Sequence, residues 1–172
     1  LLFIISCSNQ VNSKFQSSWD SSPDGTYAGP ELWANRLQDW MVENGKLICV
    51  NTLPMRTVHI TTRRAGEYSG MIHSRIRMQA VDGGQGNDKD AAAGILIGAG
   101  SGLDYRAASL IHHSWGKRAG LFIGLDGKGN LFVRDCEHED VYLKHNEDND
   151  LYWDEAIMII NIRPGGDFYR LK

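Results

Sequence analysis

The sequence feature that most constrains the fold is a long alternation of apolar and polar residues between positions 68 and 81. The even-numbered positions hold apolar or small residues, namely Ile72, Ser74, Ile76, Met78 and Ala80. The odd-numbered positions hold the polar residues His73, Arg75, Arg77 and Gln79. Because successive side chains of a strand point to opposite faces, this spacing predicts a strand with one buried face and one polar face.

Strand and turn signals recur along the rest of the chain. Asn44-Gly45 separates the apolar runs 39–42 and 47–50, and Asn-Gly between such runs is the strongest short-range hairpin signal. Further strands are predicted at residues 57–62 and 91–99, and further hairpins at 121–125 with 131–134 and at 157–162 with 168–172. Helix evidence is weak, since residues 103–113 show a loose apolar spacing without a convincing cap.

Strands joined by turns, without long helical segments between them, predict an all-β fold. We expect a jelly-roll β-sandwich rather than a βαβ sheet, and the 19 glycines suit its tight turns. The sequence has no internal repeat of the kind that a propeller or solenoid would show. A length of 172 residues suits one domain, which we place at residues 19–172.

The first seven residues, LLFIISC, resemble the end of a bacterial lipoprotein signal. In this interpretation residues 1–7 are a truncated signal, Cys7 is the lipidated residue, and residues 8–18 are a polar tether. The protein would then be exported and held by a lipid anchor on the membrane of the bacterial cell envelope. The alternative is that residues 1–5 form a buried strand. The missing leader, and a last hairpin that has only begun at Lys172, predict that the sequence is a fragment.

Charge and cysteine content exclude some classes of function. The chain has 18 Lys and Arg residues and 21 Asp and Glu residues, which gives a net charge of -3. It therefore lacks the excess of basic residues that is typical of nucleic-acid-binding domains. No run is long enough to cross a bilayer. Cys49 and Cys136 form a disulfide in an oxidising compartment or, as we favour, are buried small hydrophobic residues.

Motifs for catalysis or metal binding are sparse. Residues 83–90 match the first part of a calcium nonapeptide, but the motif occurs once and Asp90 replaces its apolar residue, so we expect a plain loop. The glycines at 98–102 lack the lysine of a phosphate-binding loop, and His138, Glu139 and Asp140 fit a surface turn better than a cation site. No paired-carboxylate strand motif of a glycosidase appears. We therefore predict no catalytic residue, cofactor site or metal ligand in this segment.

Trp115 is the best candidate for an exposed ligand contact. Exposed tryptophan rings stack on sugars, although most tryptophans are core residues. His113, Asp104 and Arg106 lie near Trp115 in sequence and are candidates for polar contacts to the same ligand.

One segment resembles a known family. The run WANRLQDW at residues 33–40, with its flanking residues 19–47, is similar to the opening of the N-terminal domain of secreted bacterial proteins related to PhoD-type alkaline phosphatases and phosphodiesterases. The family pattern is matched less closely at residues 56–59, 61–64 and 104–106. The resemblance implies a concanavalin A-like sandwich followed by a metallophosphoesterase domain. Divalent metal would be bound only in that downstream domain, whose ligands have no counterparts here.

Two functional hypotheses follow. In the first, the chain is a non-catalytic domain of an exported metallophosphoesterase that positions substrate or packs on its catalytic neighbour in the same chain. In the second, it is a glycan-binding lipoprotein or a domain related to glycoside-acting jelly rolls. Neither hypothesis involves nucleic acid.

Overall fold

The computed structural model describes residues 15–51, 53, 55–62, 72–79, 91–111, 116–135, 140–145, 155–164 and 169–171. Within these ranges the chain is built almost entirely of strands. They are β1 (Leu32–Asn35), β2 (Trp40–Glu43), β3 (Lys46–Cys49), β4 (Thr57–Ile60), β5 (Ile72–Gln79), β6 (Ala92–Ile97), β7 (Leu121–Asp126), β8 (Leu131–Arg134), β9 (Val141–Lys144), β10 (Glu155–Pro164) and β11 (Tyr169–Leu171). A 3-10 turn at Leu37–Asp39 and the helix α1 at Tyr105–Ala108 complete the described elements.

All strand pairs described are antiparallel, which confirms the predicted all-β class. The strand orders are β1-β4, β2-β3, β11-β10-β5 and β6-β7-β8-β9. In the described ranges no helix has the length and apolar character to span a membrane.

The alternation in β5 is confirmed. His73, Arg75 and Arg77 are exposed, whereas Ile76 is half-buried and Met78 is buried. Strand β10 pairs with β5 over eight residues, and its even-numbered residues from position 158 to 162 are buried. One face of this strand pair is therefore turned toward the interior.

The apolar core lies between the three-stranded and the four-stranded sheet. Its buried members come from both sheets: Met78, Ile123, Met158, Ile160 and Ile162. Half-buried residues of β6, β7 and β8 pack against them. Burial of each of the five buried side chains stabilises the fold by roughly 1.5–3 kcal/mol, so this cluster joins the two sheets.

The predicted hairpins are present. Asn44 and Gly45 have φ values of 50° and 73°, which is the pattern of the two-residue turn that matches strand twist. In the β7–β8 turn, the buried Asp126 carboxylate accepts hydrogen bonds from the backbone N–H groups of Lys128 and Asn130, both at 2.9 Å. The last hairpin is formed by β10 and β11.

One strand was not predicted from the sequence, and one sequence expectation requires correction. Residues 32–35 were not predicted as a strand, yet they form β1 and pair with β4. The 103–113 region was expected to lack a cap, but the Asp104 carboxylate accepts from the backbone N–H groups of Arg106 and Ala107 at 2.9 and 3.3 Å. This cap fixes the start of a helix too short to show helical periodicity.

Candidate functional site

Asn35 is the centre of a buried polar network in the 33–40 segment. Its side-chain oxygen accepts from Trp33 Nε1 at 3.0 Å, and its backbone oxygen accepts from Trp40 Nε1 at 3.0 Å. Its side-chain nitrogen Nδ2 donates to the backbone oxygen of Ser109 and to Thr57 Oγ1. Because Asn35 is only 8% exposed, each of these bonds replaces lost contact with water.

Asp39 forms the second part of this network. Its carboxylate pairs with the Arg56 guanidinium, and both side chains are more than nine-tenths buried. The other carboxylate oxygen accepts from Asn51 Nδ2 at 2.9 Å, while the backbone oxygen of Asp39 accepts from Val50 N at 2.8 Å. Asp39 thus joins the 33–40 segment to the chain that leads from β3 into β4.

The network also holds residues 109–111 against β4. Thr57 Oγ1 donates to the Ile111 backbone oxygen at 3.5 Å, and His59 Nε2 lies 2.6 Å from the same oxygen. Since a carbonyl oxygen can only accept, His59 carries its proton on Nε2. The backbone that leads into residues 112–115 is therefore anchored to the β1–β4 sheet.

The structure describes two of the four predicted ligand contacts. Asp104 is engaged as the cap of α1, so its carboxylate has a structural role. Arg106 is exposed, and its Nε donates to the Tyr105 hydroxyl at 3.0 Å. That hydrogen bond is the main reason why the pKa of Arg106 is raised above its ordinary value. His113 and Trp115 lie outside the described residues, as does Cys7.

Other candidate ligands also have structural partners. The Asp140 carboxylate accepts from Arg134 Nε at 2.6 Å and from Nη2 at 2.7 Å, and this hydrogen bonding is the main reason why the pKa of Arg134 is raised. The half-buried Cys49 carries a free thiol, which donates to the Asn51 backbone oxygen at 3.4 Å. Cys136, His138, Glu139 and the 83–90 loop lie outside the described residues.

Nothing among the residues described has the composition of a metal centre. No group of three or more His, Cys, Asp or Glu residues is close enough there to hold an ion. The two buried carboxylates, Asp39 and Asp126, are both engaged, one by Arg56 and the other by the β7–β8 turn.

The solvent-facing side of the β5–β10 pair is a second candidate site, which we call the outer face. It consists of His73, Arg75, Arg77 and Gln79 on β5 and of Glu155, Ile157, Ile159 and Asn161 on β10. Ile157 and Ile159 are 43% and 52% exposed and lie opposite Arg77 and Arg75 in the register. Sequence reasoning predicted the polar β5 half of this face but missed the β10 half, because residues 157–160 are uniformly apolar. Pairing that run with the alternating β5 would have revealed it, since a strand with one buried face must expose every second residue.

Comparison with known proteins adds no relative, since no family model, curated protein or solved structure matches the chain. The functional argument consequently rests on the residues themselves.

Proposed function

We propose that this chain is a non-catalytic jelly-roll domain of an exported PhoD-type metallophosphoesterase, where it positions substrate or packs on the catalytic domain. The observation that carries the proposal is the role of the 33–40 segment. Its polar groups are bonded to residues of this same fold, with Asn35 holding Ser109 and Asp39 holding Arg56. The segment that resembles the family is therefore architectural, as it should be in an auxiliary domain.

Sheet packing supports the jelly-roll part of the proposal. Two antiparallel sheets contribute buried residues to one core, as the two layers of a sandwich do. A concanavalin A-like sandwich would bring the separate β1–β4 and β2–β3 pairs into these layers. Divalent metal and the phosphoesterase chemistry belong, in this proposal, to the downstream domain.

The start of the described chain supports the proposed tether. Residues 16–18 are exposed and have no regular secondary structure, whereas the half-buried Trp19 donates from Nε1 to the Ala28 backbone oxygen at 2.8 Å. A shallow pocket of about 160 Å³ lies between residues 15–18 and 29–32. In this proposal the folded domain begins near Trp19, and the polar residues before it would connect it to a lipid anchor at Cys7 on the cell envelope.

Sequencing the gene beyond the codon for Lys172 tests the proposal. We expect an open reading frame that encodes a domain rich in Asp, Asn and His metal ligands. A stop codon directly after the last strand, or a downstream domain without such ligands, would refute the phosphoesterase assignment.

Glycan binding is the second candidate function, and the outer face favours it. This face combines exposed arginine, amide and imidazole groups with two exposed isoleucines on the central strand of a sheet. Polar groups that bind hydroxyls and apolar groups that contact ring carbons are what a sugar chain requires.

A further inference from the structure

We propose that the outer face binds a linear anionic glycan, a sugar polymer that carries carboxylate or sulfate groups. The inference rests on the second candidate function and adds the ligand class and the residues. His73, Arg75, Arg77 and Gln79 supply the polar contacts from β5, and Ile157 and Ile159 supply the apolar contacts from β10.

The basic groups form a regular row. Residues two apart on a strand lie on the same face about 6.8 Å apart, so His73, Arg75 and Arg77 follow one another at that spacing. A polymer with charges repeated along its length can meet successive members of such a row. A single small anion would use only one of them.

The arginines are available to a ligand. Arg75 is exposed and has no ion-pair partner among the described residues. Arg77 Nε lies 3.5 Å from Glu155 Oε1, and the two side chains are 68% and 47% exposed. Ion pairs as exposed as this one are weak. An incoming carboxylate or sulfate can therefore replace Glu155 at little cost.

Both ends of the face are positioned by hydrogen bonds. Gln79 Oε1 accepts from Lys46 Nζ at 2.7 Å, and His73 Nδ1 lies 2.7 Å from Asn161 Oδ1. Since Asn161 Oδ1 can only accept, His73 carries a proton on Nδ1, and its other ring nitrogen, an acceptor in the neutral ring, can accept a hydrogen bond from a sugar hydroxyl. Lys46 extends the basic row beyond β5.

Dimensions favour a linear ligand over a globular protein. Eight paired residues at about 3.4 Å each give a length of roughly 27 Å, and two strands about 4.8 Å apart give a width near 10 Å. The resulting area of roughly 270 Å² is well below the roughly 800 Å² per partner of a stable protein complex. The eight residues of the face include no Trp, Tyr or Phe, so the face has no platform for the base stacking of single-stranded nucleic acid.

The test measures binding of the 172-residue chain to polygalacturonate, dextran sulfate and neutral dextran, with oligo-dT as a nucleic acid control. We expect binding to polygalacturonate, dextran sulfate or both that weakens as salt is raised. Neutral dextran and oligo-dT should bind at least about tenfold more weakly, and a difference of tenfold corresponds to 1.4 kcal/mol. The first two probes distinguish a carboxylated from a sulfated source.

Two variant pairs of equal charge locate the site. Arg75→Gln with Arg77→Gln should weaken binding about tenfold, as expected for the loss of two exposed charge contacts. The control, Lys117→Gln with Arg118→Gln, removes the same charge from an exposed turn and should leave affinity unchanged. Equal melting temperatures verify that both variants fold.

Three results would overturn the inference. Equal loss of binding in the two variant pairs would show a response to net charge alone. Binding of neutral dextran as tight as that of the acidic probes would leave glycan binding in place without charge recognition. Failure of every glycan to bind would remove the second candidate function too, while the auxiliary-domain proposal would still be decided by the downstream gene sequence.

Discussion

Replacing Asp39 by Asn should destabilise the protein severely, because it leaves a buried guanidinium without its carboxylate. The side chains of Asp39 and Arg56 are 7% and 8% exposed, so water cannot solvate the remaining charge. Loss of one partner of a buried ion pair costs about 3–5 kcal/mol. In a domain of this size 1 kcal/mol lowers the melting temperature by roughly 2–4 °C, so we expect a decrease of about 6–20 °C.

The assays are thermal unfolding, which gives the melting temperature, and urea unfolding, which gives the free energy. Both are followed by tryptophan fluorescence, since Trp33 and Trp40 both donate hydrogen bonds to Asn35 in the same network. Glu155→Gln is the matched control, because it removes the carboxylate of the exposed Arg77–Glu155 pair. That substitution should cost less than about 1 kcal/mol.

A double variant keeps the prediction testable if Asp39→Asn does not fold. Asp39→Leu with Arg56→Met removes both charges and should recover much of the lost stability, because an apolar pair often replaces a buried ion pair without loss. The reasoning is refuted if Asp39→Asn costs no more than Glu155→Gln, or if the double variant is less stable than Asp39→Asn.

Three further predictions address the sheet, the helix cap and the anchor. Gly94→Ala should cost about 3 kcal/mol in urea unfolding, because the new Cβ would collide with the Ile123 backbone oxygen. Gly98→Ala, at a positive φ of 74° in open space, should cost only about 1–2 kcal/mol, and equal costs would contradict the packing argument. Asp104→Ala should cost about 1 kcal/mol and accelerate amide exchange in α1, and unchanged exchange would show that the cap is unimportant. Cys7→Ser should move the full-length protein from the membrane to the soluble fraction on cell fractionation, and retention in the membrane would exclude the lipid anchor.

Local patterns in the sequence were sufficient for the elements whose signals are local. The alternation between positions 68 and 81 predicted β5, and Asn44-Gly45 predicted the turn between β2 and β3. Both signals arise within a few residues, from side-chain direction and from backbone conformation at positive φ.

Features that depend on distant residues were missed. Strand β1 is four residues long, and its partner β4 follows more than 20 positions later, so no local pattern marks it. The Asp39–Arg56 pair joins residues 17 apart, and only the fold shows that both are buried. The exposure of Ile157 depends on which face of β10 meets the other sheet, which a continuous apolar run does not reveal.

The measurement that tests the central claim most directly is a phosphodiesterase assay of the purified 172-residue chain. The substrate is bis-p-nitrophenyl phosphate, with and without added zinc, calcium or manganese. Because the buried carboxylates of the described residues are engaged in structural bonds, the account predicts turnover no faster than the buffer control under every condition. Turnover that persists through purification and disappears with a chelator would contradict the claim that this chain is the non-catalytic part of its protein.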